Sequence, residues 1–273
     1  MLCRTPSLRR PPWGRAPVSW AGTGDAYAAS YAQLCAGTGE VLRAHVGVPG
    51  GRSLLDVGAG DGTLAAAWSD AGWRVTAAEP EASMRRAATL QHPTLTITAD
   101  ALPALSFDDG AFDVVVANFV LNHVSDPSAA ASELRRVAAG TVAASIWSAS
   151  PASLWGEVTT RAGVMPLAGA RLPADKDFER TASGFERMLR GAGWEPVVAE
   201  HTWTWRPTPE MLWRSVVGGV AGAGALYATL SDADRRRYRQ AFDAVIDERR
   251  DGEVIPHVQT AAVAVDHRGG QAR

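Results

Sequence analysis

From Ser53 onward the chain alternates short apolar runs with longer segments whose apolar residues recur at helical spacing. "SLLDVG" (53–58) reads as a compact buried strand entering glycines, and "TLAAAWSDAG" (63–72) as a helix stopped by Gly72. "WRVTAAE" (73–79) is a second strand and "EASMRRAATLQ" (81–91) a second helix, ended before Pro93. "LTITAD" (95–100) and "AFDVVVANFV" (111–120) are the third and fourth strands, the latter apolar at its centre. A helix over 126–139 follows, with Asp126 as N-cap and Pro127 at its first position, then a fifth strand over 140–147. Strands with apolar centres separated by helices predict an α/β protein built on a parallel sheet covered on both faces.

After Trp147 the rhythm changes. Residues 148–180 hold proline, glycine and alanine without a clear strand and read as an insertion. A helix, a glycine stop and a sixth strand return over 181–206. "TPEMLWRSVV" (208–217) opens as helices do, with threonine and proline. "SDADRRRYRQAFDAVIDERR" (231–250) is a capped amphipathic helix with Tyr238, Phe242, Val245 and Ile246 on one side. "IPHVQTAAVAVD" (255–266) carries the last strand. The expected organisation is one domain over 21–273 with a seven-stranded, mostly parallel sheet. Its core is 40–147, 181–206 and 254–267, and segments 148–180 and 207–253 form a small cap.

Composition narrows the function. Net charge is −2, which gives no bulk attraction to nucleic acid. Two cysteines, Cys3 and Cys35, are too few for a disulfide framework or a cysteine metal site, so a reducing, cytoplasmic setting is expected. Residues 1–20 are rich in arginine and proline, lack the apolar core of a secretory signal, and read as a disordered tail or a start codon placed too early. No run approaches the roughly 20 apolar residues that span a bilayer, so no membrane partner is expected. No repeat period is visible.

The stretch "DVGAGDG" (56–62) places Gly58, Gly60 and Gly62 between the first strand and the first helix, with Asp56 and Asp61 among them. Glycines there let a ligand approach the backbone at the carboxyl edge of the sheet. The dinucleotide fingerprint needs a glycine where Thr63 stands, and the phosphate-binding lysine of a P-loop is absent. Acids in the turn repel a pyrophosphate and suit a cationic ligand.

This turn resembles the first motif of class I S-adenosylmethionine-dependent methyltransferases, of the Rossmann-like small-molecule type that includes the ubiquinone and menaquinone biosynthesis enzymes. Glu79, Asp100 in "TADALP" and "FDVVVANFVLNHVSDP" (112–127) continue the pattern, so the resemblance covers roughly Tyr27 to Trp147. It implies S-adenosylmethionine as cofactor, S-adenosylhomocysteine as product and no metal. Gly58, Ala59 and Gly60 would lie against the methionyl part, with Asp56 and Asn118 on its ammonium side. Glu79 would hold the ribose. Pro80 or Met84 would flank the adenine, and Asp100, Ala101 and Leu102 its edge. Tyr27 and Tyr31, four apart and so on one helical face, are candidates to cover the cofactor.

The resemblance leaves the acceptor open. His123, after the fourth strand, is a candidate general base with an ordinary pKa of about 6.5. Asn122 is a candidate to orient a substrate carbonyl, although histidine in this context is often structural. The other histidines fall at no metal-ligand spacing. The fourth motif, "ANFV" (117–120), differs from that of adenine-methylating enzymes, so no nucleic-acid substrate is expected. Ten tryptophans are many for this length, and Trp147, Trp155, Trp205 and Trp213 are candidate acceptor contacts. Trp203 and Trp205 share a strand face and fit a covered core equally well. The run "DRRRYRQ" (234–240) reads as a solvated helix face. The expectation is methylation at O, N or C of a small-molecule or peptide-like acceptor, such as a natural-product intermediate, by a monomer or homodimer. The alternatives are a non-methylating enzyme that keeps the cofactor and a non-catalytic partner subunit of the same fold.

Overall fold

Leu54 and Leu55, adjacent in the first strand, are both fully buried yet belong to different cores. This follows from the pleat, which sends neighbouring side chains to opposite faces, and it requires a sheet covered on both sides. The computed structural model describes residues 20–148, 153–167 and 172–268; the tail expected over 1–20 lies, but for Trp20, outside them. Seven strands form one sheet: β1 (Ser53–Val57), β2 (Arg74–Ala78), β3 (Thr96–Thr98), β4 (Phe112–Asn118), β5 (Ala138–Trp147), β6 (Val197–Trp205) and β7 (His257–His267). Their order is β3-β2-β1-β4-β5-β7-β6. β7 runs antiparallel to β5 and β6, and the pairs from β3 across to β5 are parallel.

Helices α1 (Gly24–Ala28), α2 (Tyr31–Cys35) and α3 (Gly39–Val46) precede the sheet, with a 3-10 turn over Ala36–Thr38. α4 (Thr63–Asp70), α5 (Ala82–Gln91), α6 (Pro127–Val137), α7 (Ser153–Arg161) and α8 (Ala182–Gly191) follow between strands. α9 (Pro209–Val217), α10 (Ala221–Thr229) and α11 (Asp232–Arg249) lie between β6 and β7. The expected caps are made: Asp126, Thr208 and Ser231 accept from the amides of Ala129, Met211 and Asp234. One core packs α6 and α8, through Leu134, Phe185 and Leu189, on one sheet face. The other packs α3, α4 and the helices α7, α9 and α11 on the opposite face, through Leu42, Trp68, Trp155, Leu212 and Phe242.

Two differences from the sequence reading stand out. The stretch 148–180 contains α7, whose buried Leu154, Trp155 and Val158 follow helical spacing amid glycine and proline. Tyr27 and Tyr31 do not share one helix. The chain breaks at Ser30, with φ −145° and ψ −80°, so the two rings head in different directions. At the neck of the segment between β6 and β7, the Ile255 amide donates to the Pro207 carbonyl at 2.8 Å.

A buried ion pair fastens the reversed strand. Arg135 and Asp266 are 3% and 4% exposed, with Nη1 3.5 Å from the carboxylate. Arg135 Nη2 also donates to the carbonyls of Ala138 and Gly140. Arg135→Ala leaves Asp266 charged and buried, and is expected to cost about 3–5 kcal/mol in urea denaturation. A loss below about 1 kcal/mol would show that water replaces the guanidinium.

Candidate functional site

The turn after β1 hangs from β2: the amides of Gly58 and Ala59 both donate to the Ala78 carbonyl. Gly58 (φ 69°) and Gly60 (φ 59°) occupy the left-handed region, which side chains disfavour. A Cβ on Gly58 would stand 2.5 Å from Val120 Cγ2, and one on Gly60 would stand 3.2 Å from the Tyr27 ring. Glu79 braces the turn, one carboxylate oxygen accepting from the Gly60 amide at 2.9 Å and the other from the Glu81 amide at 2.8 Å. Asp61 turns away to the amide and hydroxyl of Thr63, where it holds the start of α4.

Three acids are therefore buried together. Asp56, Asp61 and Glu79 are 2%, 3% and 7% exposed. Burial raises the pKa of each. For Asp61 the bonds to Thr63 oppose the rise, and for Glu79 the amides of Glu81 and Gly60 do so. Asp56 has no such relief. Burial, then the charges of Glu79 and Asp61, push it up to about 7, and its Oδ2 has no hydrogen-bond partner. A cationic group beside Asp56 would offset the cost of its burial.

The N-terminal helices cover this region. Tyr27 lies over Gly60, and its phenol pairs with the Cys35 thiol; burial holds the phenol well above its ordinary range and the thiol at about 12. Gly24 lies tight against α5, its amide donating to Ser83 Oγ at 3.1 Å. Asn118, at the end of β4, accepts at Oδ1 from Thr38 and Ser145 and donates from Nδ2 to the Cys35 carbonyl. Tyr27, Cys35, Asp56, Gly58, Ala59 and Asn118 help to line a cavity of only about 20 Å³.

The other candidates fall around this centre. Pro80 turns its carbonyl to Arg85, and Met84 is buried on α5. Asp100 accepts from the Ser106 amide at 2.8 Å and sits below its ordinary pKa because of Ser106 and Thr98. Ala101 bridges to Ala104, and Leu102, half-buried, precedes a cis Pro103. His123 lies in a tight turn, its amide bonded to the Val120 carbonyl and its ring edge-on to Trp20 at 5.3 Å. Trp20 also meets Tyr27 edge-on, which joins His123 to the helix covering Gly60. Asn122 is tied to the end of β5, its Oδ1 accepting from the Trp147 amide.

Tyr31 does not join the lining of this small cavity. Its hydroxyl accepts from Trp155 Nε1 at 3.0 Å, and its ring meets Trp205 edge-on. Trp147 stacks on Phe119 at 3.9 Å, with Trp203 beside both. Trp213 lies elsewhere, in an open groove of about 740 Å³ between α1 and α9. Trp20, Cys35, Thr38 and Ser145 belong to no motif that pointed to the site. Among the described residues no group of three or more His, Cys, Asp or Glu is placed to hold a metal, and no helix is long and apolar enough to cross a membrane.

Strand order, the single reversed strand and an acidic glycine turn after β1 define the class I methyltransferase architecture. Residues 55–141 match the family model described as "Methyltransferase domain". The demethylmenaquinone methyltransferase of Renibacterium salmoninarum is 36% identical over 92 residues, 34% of this chain and 39% of that protein. The malonyl-[acyl-carrier protein] O-methyltransferase of Pseudescherichia vulneris is 33% identical over 108 residues, 40% of this chain and 43% of that protein. The match thus spans about two-fifths of either relative's length. The YcgJ protein of Bacillus subtilis shares the fold, with a TM-score of 0.55 at 15% identity over 86% of this chain and 99% of that one.

Proposed function

We propose that the protein transfers a methyl group from S-adenosylmethionine to a small-molecule acceptor. The observation that carries this reading is Asp56, a buried carboxylate at the glycine turn with one oxygen unpartnered and nothing to lower its pKa. A ligand with a cationic end supplies what that site lacks. When bound, the cofactor supplies an electrophilic methyl group on a positively charged sulfur.

The chain's own groups then divide the work. Asp56 takes the ammonium end, with Asn118 beside it. Gly58 and Gly60 allow close approach to the backbone, where a Cβ would intrude. Each oxygen of Glu79 already accepts one amide and keeps a lone pair for a ribose hydroxyl. Asp100, held by the Ser106 amide, is the acid offered to the adenine amino group. Tyr27 lies over the turn and keeps water out. Holding donor and acceptor in line supplies much of the acceleration, up to roughly 7–11 kcal/mol in favourable systems. His123 takes a proton where the acceptor atom carries one.

Calorimetry with S-adenosylmethionine and S-adenosylhomocysteine tests the reading, and absence of binding by both ends it. His123→Ala is expected to leave that binding intact and to lower label transfer from methyl-labelled cofactor by about 100-fold or more. Equal transfer would assign His123 to the scaffold that holds Trp20.

A further inference from the structure

The face of the sheet that carries Asp56 and Asn118 continues, at its carboxyl edge, into β5, β7 and β6. Register places Asn118 beside Ser145, Trp147 beside Ala261, Trp203 beside Gln259, and Trp205 beside His257. β7 is reversed, so its first residues lie at the edge where the parallel strands end. His257 and Gln259, two apart, share a face there. Trp205, His257 and Gln259 are 8%, 9% and 5% exposed, and Trp205 Nε1, His257 Nε2 and Gln259 Oε1 all lack a hydrogen-bond partner.

One buried polar atom without a partner is costly, and with Trp203 Nε1 beside Gln259 there are four on this patch, which call for a common explanation. The patch offers an indole N–H that only donates, an amide oxygen that only accepts, and a ring nitrogen that does either. It offers no net charge: burial and the nearby Arg249 hold His257 down at about 4, so the imidazole is neutral at pH 7. Between this patch and Asn118 the floor is aromatic, with Phe119 stacked on Trp147 and Trp203 alongside. Two strand spacings, about 10 Å, separate β4 from β7, and Gln259 lies four residues, about 13 Å, along β7 from Val263, the residue level with Asn118, so the patch begins about 16 Å from Asn118. Above Trp205, Tyr31 and Trp155 close the patch through their mutual hydrogen bond.

We propose that Trp205, His257 and Gln259 form the far end of the acceptor site. The acceptor is an uncharged, elongated molecule about 16 Å long, with an apolar body and an oxygen-bearing end that both accepts and donates hydrogen bonds. Its body lies along Phe119, Trp147 and Trp203, and its other end reaches the methyl donor near Asn118. Entry parts Tyr31 from Trp155. This assignment rests on the donor site proposed above.

The test uses the full chain with and without saturating S-adenosylhomocysteine, titrated with 6-hydroxy-2-acetonaphthone and followed by fluorescence. The isosteric anion 6-hydroxy-2-naphthoate serves as the comparison. The neutral ketone is expected to bind saturably, and the naphthoate about ten-fold more weakly or worse. Gln259→Leu and Trp205→Phe should each weaken the ketone about ten-fold with S-adenosylhomocysteine binding kept, the tryptophan variant alone at some cost in melting temperature. Gln259→Met keeps the length and volume of the side chain and removes the amide oxygen, so it stays informative where the leucine variant misfolds. Equal affinity of the two probes, or variants that bind the ketone as the wild type does, overturns the proposal. So does a protein that binds S-adenosylhomocysteine but not the ketone. Ketone binding with the expected variant pattern and no S-adenosylhomocysteine binding would uphold this patch and remove the donor assignment instead.

Discussion

Asp56→Asn is expected to weaken S-adenosylmethionine binding about 100-fold, near 3 kcal/mol, while raising the melting temperature above pH 7. Both effects come from one charge. In the folded protein Asp56 holds its proton up to about pH 7, whereas its ordinary value is 3.8. Between those values the folded state binds more protons than the unfolded one, so stability falls as pH rises. The contribution from this group is fully present below about 4 and is lost as pH passes through 7. Asparagine resembles the protonated form and escapes that loss. The same substitution removes the carboxylate that a cationic ligand needs. In the wild type, ligand affinity should therefore rise from pH 6 to 8, with proton release visible when calorimetry is repeated in buffers of different ionisation enthalpy. An asparagine variant with unchanged affinity would mean that the ammonium sits elsewhere.

Gly58→Ala is the second large effect. The residue has φ 69°, and the new Cβ would meet Val120 Cγ2 at 2.5 Å. Backbone strain and the clash together are expected to destabilise the protein by about 1–3 kcal/mol. Loss of cofactor binding should exceed the loss of stability, because the turn itself must shift to make room. Combining it with Val120→Ala separates the two causes. The double variant should recover the part due to crowding and none of the part due to φ. Full recovery would make the left-handed backbone at Gly58 unimportant.

How much of this was legible in the sequence depended on how local the cause was. The glycine turn, Glu79 at the end of β2 and the caps at Asp126, Thr208 and Ser231 are set by neighbouring residues, and strand and helix periods revealed them. The split between Tyr27 and Tyr31 was not legible. Spacing by four implies one helical face only while the helix continues, and the break at Ser30 depends on what each half packs against. The motif resemblance singled out Asp56 and not Asp61, but it did not reveal that Asp61 is spent on Thr63 or that Asp56 Oδ2 is left without a partner. His257 and Gln259 gave no signal at all. Their meaning comes from register with Trp203 and Trp205, which pairing across about 50 residues creates.

The bond between Ile255 and Pro207 has a consequence for how such a protein diversifies. Because β7 is reversed, the chain leaves β6 and re-enters β7 at the same edge, and one hydrogen bond closes the neck. Lengthening, shortening or replacing what lies beyond that neck costs little in loop closure and leaves the sheet register alone. Selection can therefore refashion α9, α10 and α11 as an interchangeable part, with the turn after β1 inherited unchanged.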